Sequence, residues 1–469
     1  MKEFRIKGMK WFLDDEGLAA VLEKLPEVTD ARRHYVAMPY KKGRVFIKTF
    51  VEKGALGALR NRTVPRGKKE YMTGKRLASM GIRTPGCLGY GVGRRRSCVV
   101  QDWIDGDGFV RVFFRHGYRE RLIPALAGLL RRLKDNGVCH NDLHLDNVLV
   151  SGDLLYLIDL HKTKIKDALN DKDELSNLTH ALTMIYEDLS EKEKELFFEL
   201  YGNTMIQKAV EGEIKRLWRR WIESKKKRAF QETSKIVRRG ERLYVAGMED
   251  RGKGAFVQRL KSDKKVKVER YSDHVRKIYK GRRRLEKAWR NHIVLLYLNM
   301  AIIPHAYYVR LPSLFSGGFI AMEDLGGKGR ELDRHLDGIY DGLNTTQRHR
   351  FVNAFSNFMK GVIGQGVVHN DVKGCNIFVV DDNVFFFLDV EDIVFEHVDE
   401  AILTRMLVQL NTTIPKRISV SDRLRFFARL TRALNVDRKG VLKKVVEESL
   451  KGEIVYEGVS GLKREQWNL

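Results

Sequence analysis

At 469 residues the chain exceeds what one hydrophobic core ordinarily sustains, so two domains of roughly 230 residues are expected. Apolar residues make up 43% of it and prolines number only 8, which excludes a chain disordered throughout. Lys plus Arg number 87 against 61 Asp plus Glu, and this net +26 points to polyanionic partners: nucleic acid, anionic lipid or phosphorylated sugars.

The chain opens MKEFRIKGMKWFLDDEG, basic but without the apolar stretch of a signal peptide. Residues 44–50 (RVFIKTF) read as a strand, 68–80 as a helix, and 97–103 (SCVVQDW) as a second strand. GYGVGRRR, between Leu88 and Ser97, reads as a hairpin turn; as a phosphate loop it lacks the helix that should follow. Helical periodicity runs over 118–136 and 173–200, then over 285–300, 347–365 and 421–434. Residues 215–228 (KRLWRRWIESKKKR) carry eight basic side chains against one acidic, with two tryptophans. They read either as a solvated helix closing the first domain or as an amphipathic face on an anionic membrane surface. The longest apolar run, 293–303, contains Asn299 and falls short of the ~18 residues of a membrane span. Cys87, Cys98, Cys139 and Cys375 form no CxxC pair, so neither a zinc framework nor a disulfide scaffold follows and a reducing cytoplasm is expected.

The two halves of the chain repeat one another. GVCHNDLHLDNVLV followed by LLYLIDL stands near residue 140, and GVVHNDVKGCNIFVV followed by VFFFLDV near residue 369. GRVFIKTF is matched by DHVRKIYK, RLASMGIRTP by LLYLNMAIIP, and SCVVQDWI by GFIAMEDL, in the same order. Lys48 precedes His140 by 92 positions, and Lys277 precedes His369 by 92. The expectation is two copies of one fold, residues 1–229 and 230–469, each with strands first and helices later: an α+β class.

The repeated motif, His-x-Asp-x4-Asn with an Asp after the next strand, has a chemistry of its own. It comprises His140, Asp142, Asn147 and Asp159, then His369, Asp371, Asn376 and Asp389. One carboxylate can face an attacking hydroxyl, while an amide oxygen and a second carboxylate offer the hard ligands Mg²⁺ prefers. An upstream lysine on a strand can hold anionic phosphates. These are the parts phosphoryl transfer requires, where positioning and charge neutralisation supply most of the catalysis.

Both halves resemble the protein-kinase-like fold, and more closely the bacterial lipopolysaccharide core kinases that phosphorylate heptose or Kdo sugars. The residues carrying the resemblance are VFIK ending at Lys48, Glu70 before MGIRTP, HND at 140–142, Asn147 and LID ending at Asp159, with AWRNH leading to IIP in the second half. The resemblance implies two tandem domains, each a small β-rich lobe and a larger helical lobe, using ATP and Mg²⁺. By position, Asp142 and Asp371 would align the acceptor hydroxyl. Asn147, Asp159, Asn376 and Asp389 would hold the metal. Lys48 and Lys277 would meet the nucleotide phosphates, with Glu70 holding Lys48. Main-chain groups around Gln101 and Trp103, and around Met322 and Asp324, would meet the adenine. His140 and His369 are expected to brace the loop. The implied partner is a lipopolysaccharide core or lipid A-core precursor on an anionic membrane surface, at the cytoplasmic face of the inner membrane.

The halves depart from that pattern and from each other. Neither has a Gly-x-Gly-x-x-Gly before its lysine strand, where residues 35–43 and 268–274 stand instead. Neither has Asp-Phe-Gly; the sequences read Asp159-Leu160-His161 and Asp389-Val390-Glu391. Two positions after Asp142 stands His144, where the second half has Lys373, a better neutraliser of transferring charge. Arg290 falls opposite Glu70, so Glu286 is the expected partner of Lys277. Competing readings are a tandem pseudokinase scaffold binding anionic glycolipid or an acidic protein, and an atypical protein Ser/Thr kinase. Nucleic-acid binding is not expected, for want of recognition motifs.

Overall fold

The structure, a computed structural model, describes residues 1–26, 33–52, 54–312, 317–432, 434 and 436–467. The chain folds as two compact units, Met1–Arg216 and Leu217–Leu469, the division falling inside helix Gln207–Arg228.

In the first unit six antiparallel strands form one sheet, in the order Lys2–Ile6, Met9–Leu13, Cys87–Val92, Arg96–Asp102, Gly43–Val51, Arg33–Tyr40. Gly43–Val51 lies one strand in from the edge, and its alternation sends side chains into a core on each face. Val45 and Ile47 pack with Leu18 and Leu22 of a short helix, while Phe50, of opposite parity, packs with Tyr71 of helix Arg66–Ser79. The hairpin expected at GYGVGRRR joins Cys87–Val92 to Arg96–Asp102, but two of its glycines lie inside the strand. A Cβ at Gly89 would meet the Phe12 carbonyl at 2.7 Å, and one at Gly91 the Trp11 ring at 2.7 Å, so these glycines serve sheet packing.

Below the sheet lies a helical core in which Leu122, Leu126 and Leu130 of helix Arg119–Asp135 pack with Phe197 and Phe198. The helix expected over 173–200 is two helices, Asp171–Leu182 and Glu191–Tyr201. Ser190 and Glu193 form a reciprocal capping box that starts the second one, a signal that the continuing apolar period concealed.

The second unit carries seven antiparallel strands, in the order Ile236–Arg239, Arg242–Val245, Ala306–Arg310, Gly318–Met322, Val275–Tyr279, Val266–Tyr271, Phe256–Ser262. Helix Arg282–Tyr297 packs on it through Leu285, Trp289 and Ile293. Helices Thr345–Gly364, Glu400–Asn411, Val420–Thr431 and Arg438–Leu450 enclose the second helical core.

Helix Gln207–Arg228 contains the basic segment. Arg219, Arg220, Lys227 and Arg228 are exposed, but Trp218 is half-buried, its ring 5.5 Å from that of His397 and close against Gly366. Of the two tryptophans meant for a headgroup layer, this one is spent on packing.

Candidate functional site

In the first unit the lysine strand Gly43–Val51, one in from the edge of the sheet, delivers Lys48 to a buried side, where it is 4% exposed. Helix Arg66–Ser79 lies close enough for Glu70 to reach it, with Nζ to Oε1 3.2 Å and to Oε2 3.1 Å. The closeness depends on Gly67, where a Cβ would stand 2.2 Å from the Cys98 carbonyl oxygen. Lys48 also donates to Asp159, which follows strand Leu154–Leu157. Burial pushes the Asp159 carboxyl up, but His161, 2.8 Å away, and Lys48 outweigh it and hold the group ionised well below its ordinary range. Glu70, Asp159 and His161 gather three metal-capable atoms within 4.8 Å of one another, around the Lys48 ammonium. Asp159 adopts the left-handed conformation, φ 61°, a strained state for a non-glycine residue that functional sites retain.

Asp142 lies on the loop between Val138–Cys139 and Val148–Ser151. Burial raises its carboxyl, but the Lys162 ammonium, 2.5 Å away, prevails and lowers it. The Asn147 side-chain nitrogen donates to the Asp142 carbonyl at 2.8 Å, which fixes the amide against the Asp142 loop. His140 is buried and its Nε2 lies 3.2 Å from the Ile158 carbonyl, bridging loop and strand as a brace does.

The second unit repeats the arrangement with different partners. Lys277 reaches Asp389 at 2.7 Å and Glu391 at 2.9 Å. Burial disfavours its charge, but these two carboxylates more than compensate and raise it. Glu391 also accepts from Tyr279 Oη at 3.2 Å and from Arg284 Nε at 3.0 Å. The expected partner, Glu286, is instead bound to Arg282 and Arg290 on its own helix, at 2.8 and 3.1 Å. The i,i+4 spacing keeps it there. Asn376 donates to the Asp371 carbonyl at 2.9 Å and its carboxylate at 3.0 Å, and Lys373 pairs with Asp371 at 2.8 Å. His369 Nε2 lies 3.0 Å from the Asp389 carbonyl.

The adenine-side residues are arranged differently. Gln101 is buried, its amide 3.5 Å from Cys87 Sγ. The N–H of Asp102 donates to the Gly86 carbonyl at 2.8 Å and that of Trp103 to the Arg44 carbonyl at 3.2 Å, so both are used within the sheet. The Trp103 ring is 41% exposed and 6.2 Å from Phe46, which stacks on Tyr35 at 5.7 Å. Because Tyr35 stands opposite Lys48, this aromatic strip shares the lysine's face of the sheet. In the second unit Met322 is buried opposite Val275, and Asp324 is bound by Arg270 at 2.9 Å.

Two residues were missed by sequence reasoning, Lys162 and Glu391. Each supplies what its half lacked, a cation beside Asp142 and a carboxylate for Lys277. Each sits within three positions of the strand aspartate, a signal visible only in comparing the halves there.

A lysine–carboxylate pair under a small sheet, above a loop carrying Asp and Asn, is the layout of the protein-kinase-like fold. The model of the lipopolysaccharide kinase (Kdo/WaaP) family matches residues 57–201. The first unit therefore resembles a family of kinases, and an enzyme of that class is what it describes. A solved structure of "WaaP in complex with acyl carrier protein" aligns with 47% of this chain and 99% of its own, at 19% identity and a TM-score of 0.34. No curated protein matches the chain. Among the described residues no helix is long and apolar enough to cross a membrane.

Proposed function

We propose that the chain is an ATP-dependent phosphotransferase built of two tandem kinase-like domains, acting on a heptose or Kdo hydroxyl of the lipopolysaccharide inner core at the cytoplasmic face of the membrane. The observation that carries this reading is the buried Lys48 held between Glu70 and Asp159 on the sheet side of the Asp142 loop.

Asp142, kept ionised by Lys162, orients the acceptor hydroxyl and takes its proton as the oxygen attacks the terminal phosphorus. The bond from that phosphorus to the nucleotide's bridging oxygen breaks, and Lys48 meets charge on the phosphates left behind. Asn147 and Asp159 present hard oxygen donors that fit Mg²⁺, which when bound neutralises phosphate charge. Glu70 acts through Lys48, fixing where the ammonium points. Lys162 serves twice, steadying Asp142 and offering positive charge to the moving phosphoryl group. The strip of Tyr35, Phe46 and Trp103 gives adenine an apolar face to lie on. The net +26 of the chain suits an acceptor carrying phosphates and carboxylates on an anionic surface.

The test is mass spectrometry of core oligosaccharide from cells whose only copy carries Asp142→Asn, Asp371→Asn, or both. Loss of a core phosphate identifies the acceptor and the working unit. Unchanged core phosphorylation in the double variant refutes the sugar-kinase reading.

A further inference from the structure

The second unit has a strand with no counterpart among the described residues of the first. Beyond the lysine strand Val275–Tyr279 its sheet continues through Val266–Tyr271 to Phe256–Ser262, every residue of which is exposed. Among the described residues of the first unit nothing extends the sheet past Arg33–Tyr40, the direct neighbour of its lysine strand. This outer hairpin occupies the side from which a glycine-rich loop would cover nucleotide phosphates, yet its sequence, FVQRLKSDKKVKVERY, contains no glycine.

Register decides which of its charges face the site. Lys261 stands opposite Val268, and Val268 opposite Lys277, so the three form one row across three strands. Directly opposed residues project from the same face, which puts Lys261 on the face of Lys277 two strand spacings away, about 9–10 Å. The placement results from a bulge. After an earlier shift between Phe256 and Gln258, Arg259 stands opposite Glu269 and the pairing then skips Leu260, so Lys261 rather than Leu260 takes the position opposite Val268. Without the skipped residue the lysine would point to the other face, and bulges beside active sites commonly re-aim a side chain in this way.

The charges around it divide cleanly. Arg259 lies in the row of the opposite face and pairs with Glu269 at 3.4 Å. Arg270 shares the inner face but is committed to Asp324 at 2.9 Å. Lys277 is enclosed by Asp389 and Glu391. Lys261 has a 62% exposed side chain and a long 3.6 Å contact with Asp263 in the turn, a pairing that water already weakens. Its field reaches the site nonetheless, contributing after Lys277 to holding Asp389 ionised.

We propose that Lys261 is a phosphate-binding residue of the second unit, a mobile ammonium that meets the nucleotide's terminal phosphates where other kinases use backbone N–H groups of a glycine-rich loop. A lysine suits this task because a flexible stem carries a compact charge to a ligand that arrives and leaves. Among its described residues the first unit has no counterpart, so on this reading the two units hold nucleotide by different means. The inference rests on nucleotide binding by the second unit.

The experiment is calorimetric titration of the full chain with Mg·ATP and, separately, with adenosine, comparing Lys261→Gln, Lys261→Arg and Lys277→Met. Lys261→Gln is expected to weaken one of two Mg·ATP binding events about tenfold, the loss of one charged contact, with adenosine affinity unchanged and Lys261→Arg close to the parent. If Lys277→Met abolishes one event while Lys261→Gln leaves it within about twofold, the lysine's role is refuted and nucleotide binding stands. Equal weakening of ATP and adenosine by Lys261→Gln also refutes it, since a phosphate contact spares adenosine. A parent chain with no event sensitive to Lys277→Met overturns both the lysine's role and the reading beneath it.

Discussion

Glu391 lies 2.9 Å from Lys277 and only two positions beyond Asp389, so lysine, aspartate and glutamate are tied by one short segment. In the first unit the lysine's second carboxylate, Glu70, comes from helix Arg66–Ser79. One lysine depends on where a helix lies, and the other on a loop that carries its own counter-charge.

Glu391 is 2% exposed and serves Lys277, Tyr279 and Arg284 together, so truncation leaves the buried Lys277 and the half-buried Arg284 underpaired. Glu391→Ala is expected to destabilise the second unit by about 3 kcal/mol, the low end for breaking a buried pair because Asp389 still holds Lys277. Urea unfolding measures it. Glu286→Ala, removing an intrahelical pair whose arginines are 68% and 40% exposed, should stay within about 0.5 kcal/mol. Similar losses from the two would show that Glu391 has no special part.

Gly67 sets the distance between the first unit's helix and its sheet. An added Cβ would meet the Cys98 carbonyl at 2.2 Å and its carbon at 2.5 Å, and backbone cannot turn aside as a side chain does. Gly67→Ala should therefore lift the helix start, lengthen the Glu70–Lys48 contact and cost about 1–3 kcal/mol. First-unit phosphotransfer should fall with it, by tenfold or more. Met72→Ala, on the same helix but 56% exposed, should change neither unfolding nor turnover. Normal turnover in Gly67→Ala would detach the helix position from the lysine's function.

The candidate residues Lys48, Asp142 and Asp159 were legible in the sequence because a duplicated pattern marks each of them twice. Glu70 was named from the resemblance alone, and the structure brings Lys48 to Glu70 and Asp159. What escaped was whatever depends on approach in space. Glu286 looked right for Lys277 by helical position, yet Arg282 and Arg290 at i,i+4 claim it. Lys162 faces Asp142 across 20 positions only because Lys164–Ile165 pairs back onto Val138–Cys139. The side on which Lys261 projects is set by the skip at Leu260, the second shift in that strand's pairing, so alternation alone would misplace it. The break before Ser190 was readable as a capping box and was hidden by apolar periodicity on either side.

His292, on the helix behind Lys277, gives the second unit an acid sensitivity. It is buried, its Nε2 has no partner, and burial first, then the charge of Lys277, pushes its pKa down to about 3. The unfolded chain takes up this proton near the ordinary value of 6.5 and the folded chain does not, so below 6.5 protons favour the unfolded state. The stability that the neutral ring retains is thus full above pH 6.5 and declines as pH falls toward 3. The decline is about 1.4 kcal/mol per unit, or about 2 kcal/mol between pH 6.5 and 5. His292→Leu replaces the ring with an apolar side chain that cannot take a proton, and no hydrogen bond at Nε2 is lost. Urea midpoints at pH 7.5 and pH 5 should therefore lie closer together in His292→Leu than in the parent chain. His140 and His369, also held neutral by burial, leave a residual slope common to both proteins, so the difference between the two slopes carries the result. Parallel slopes would mean that His292 takes up its proton equally well in the folded chain, against the burial that defines its site.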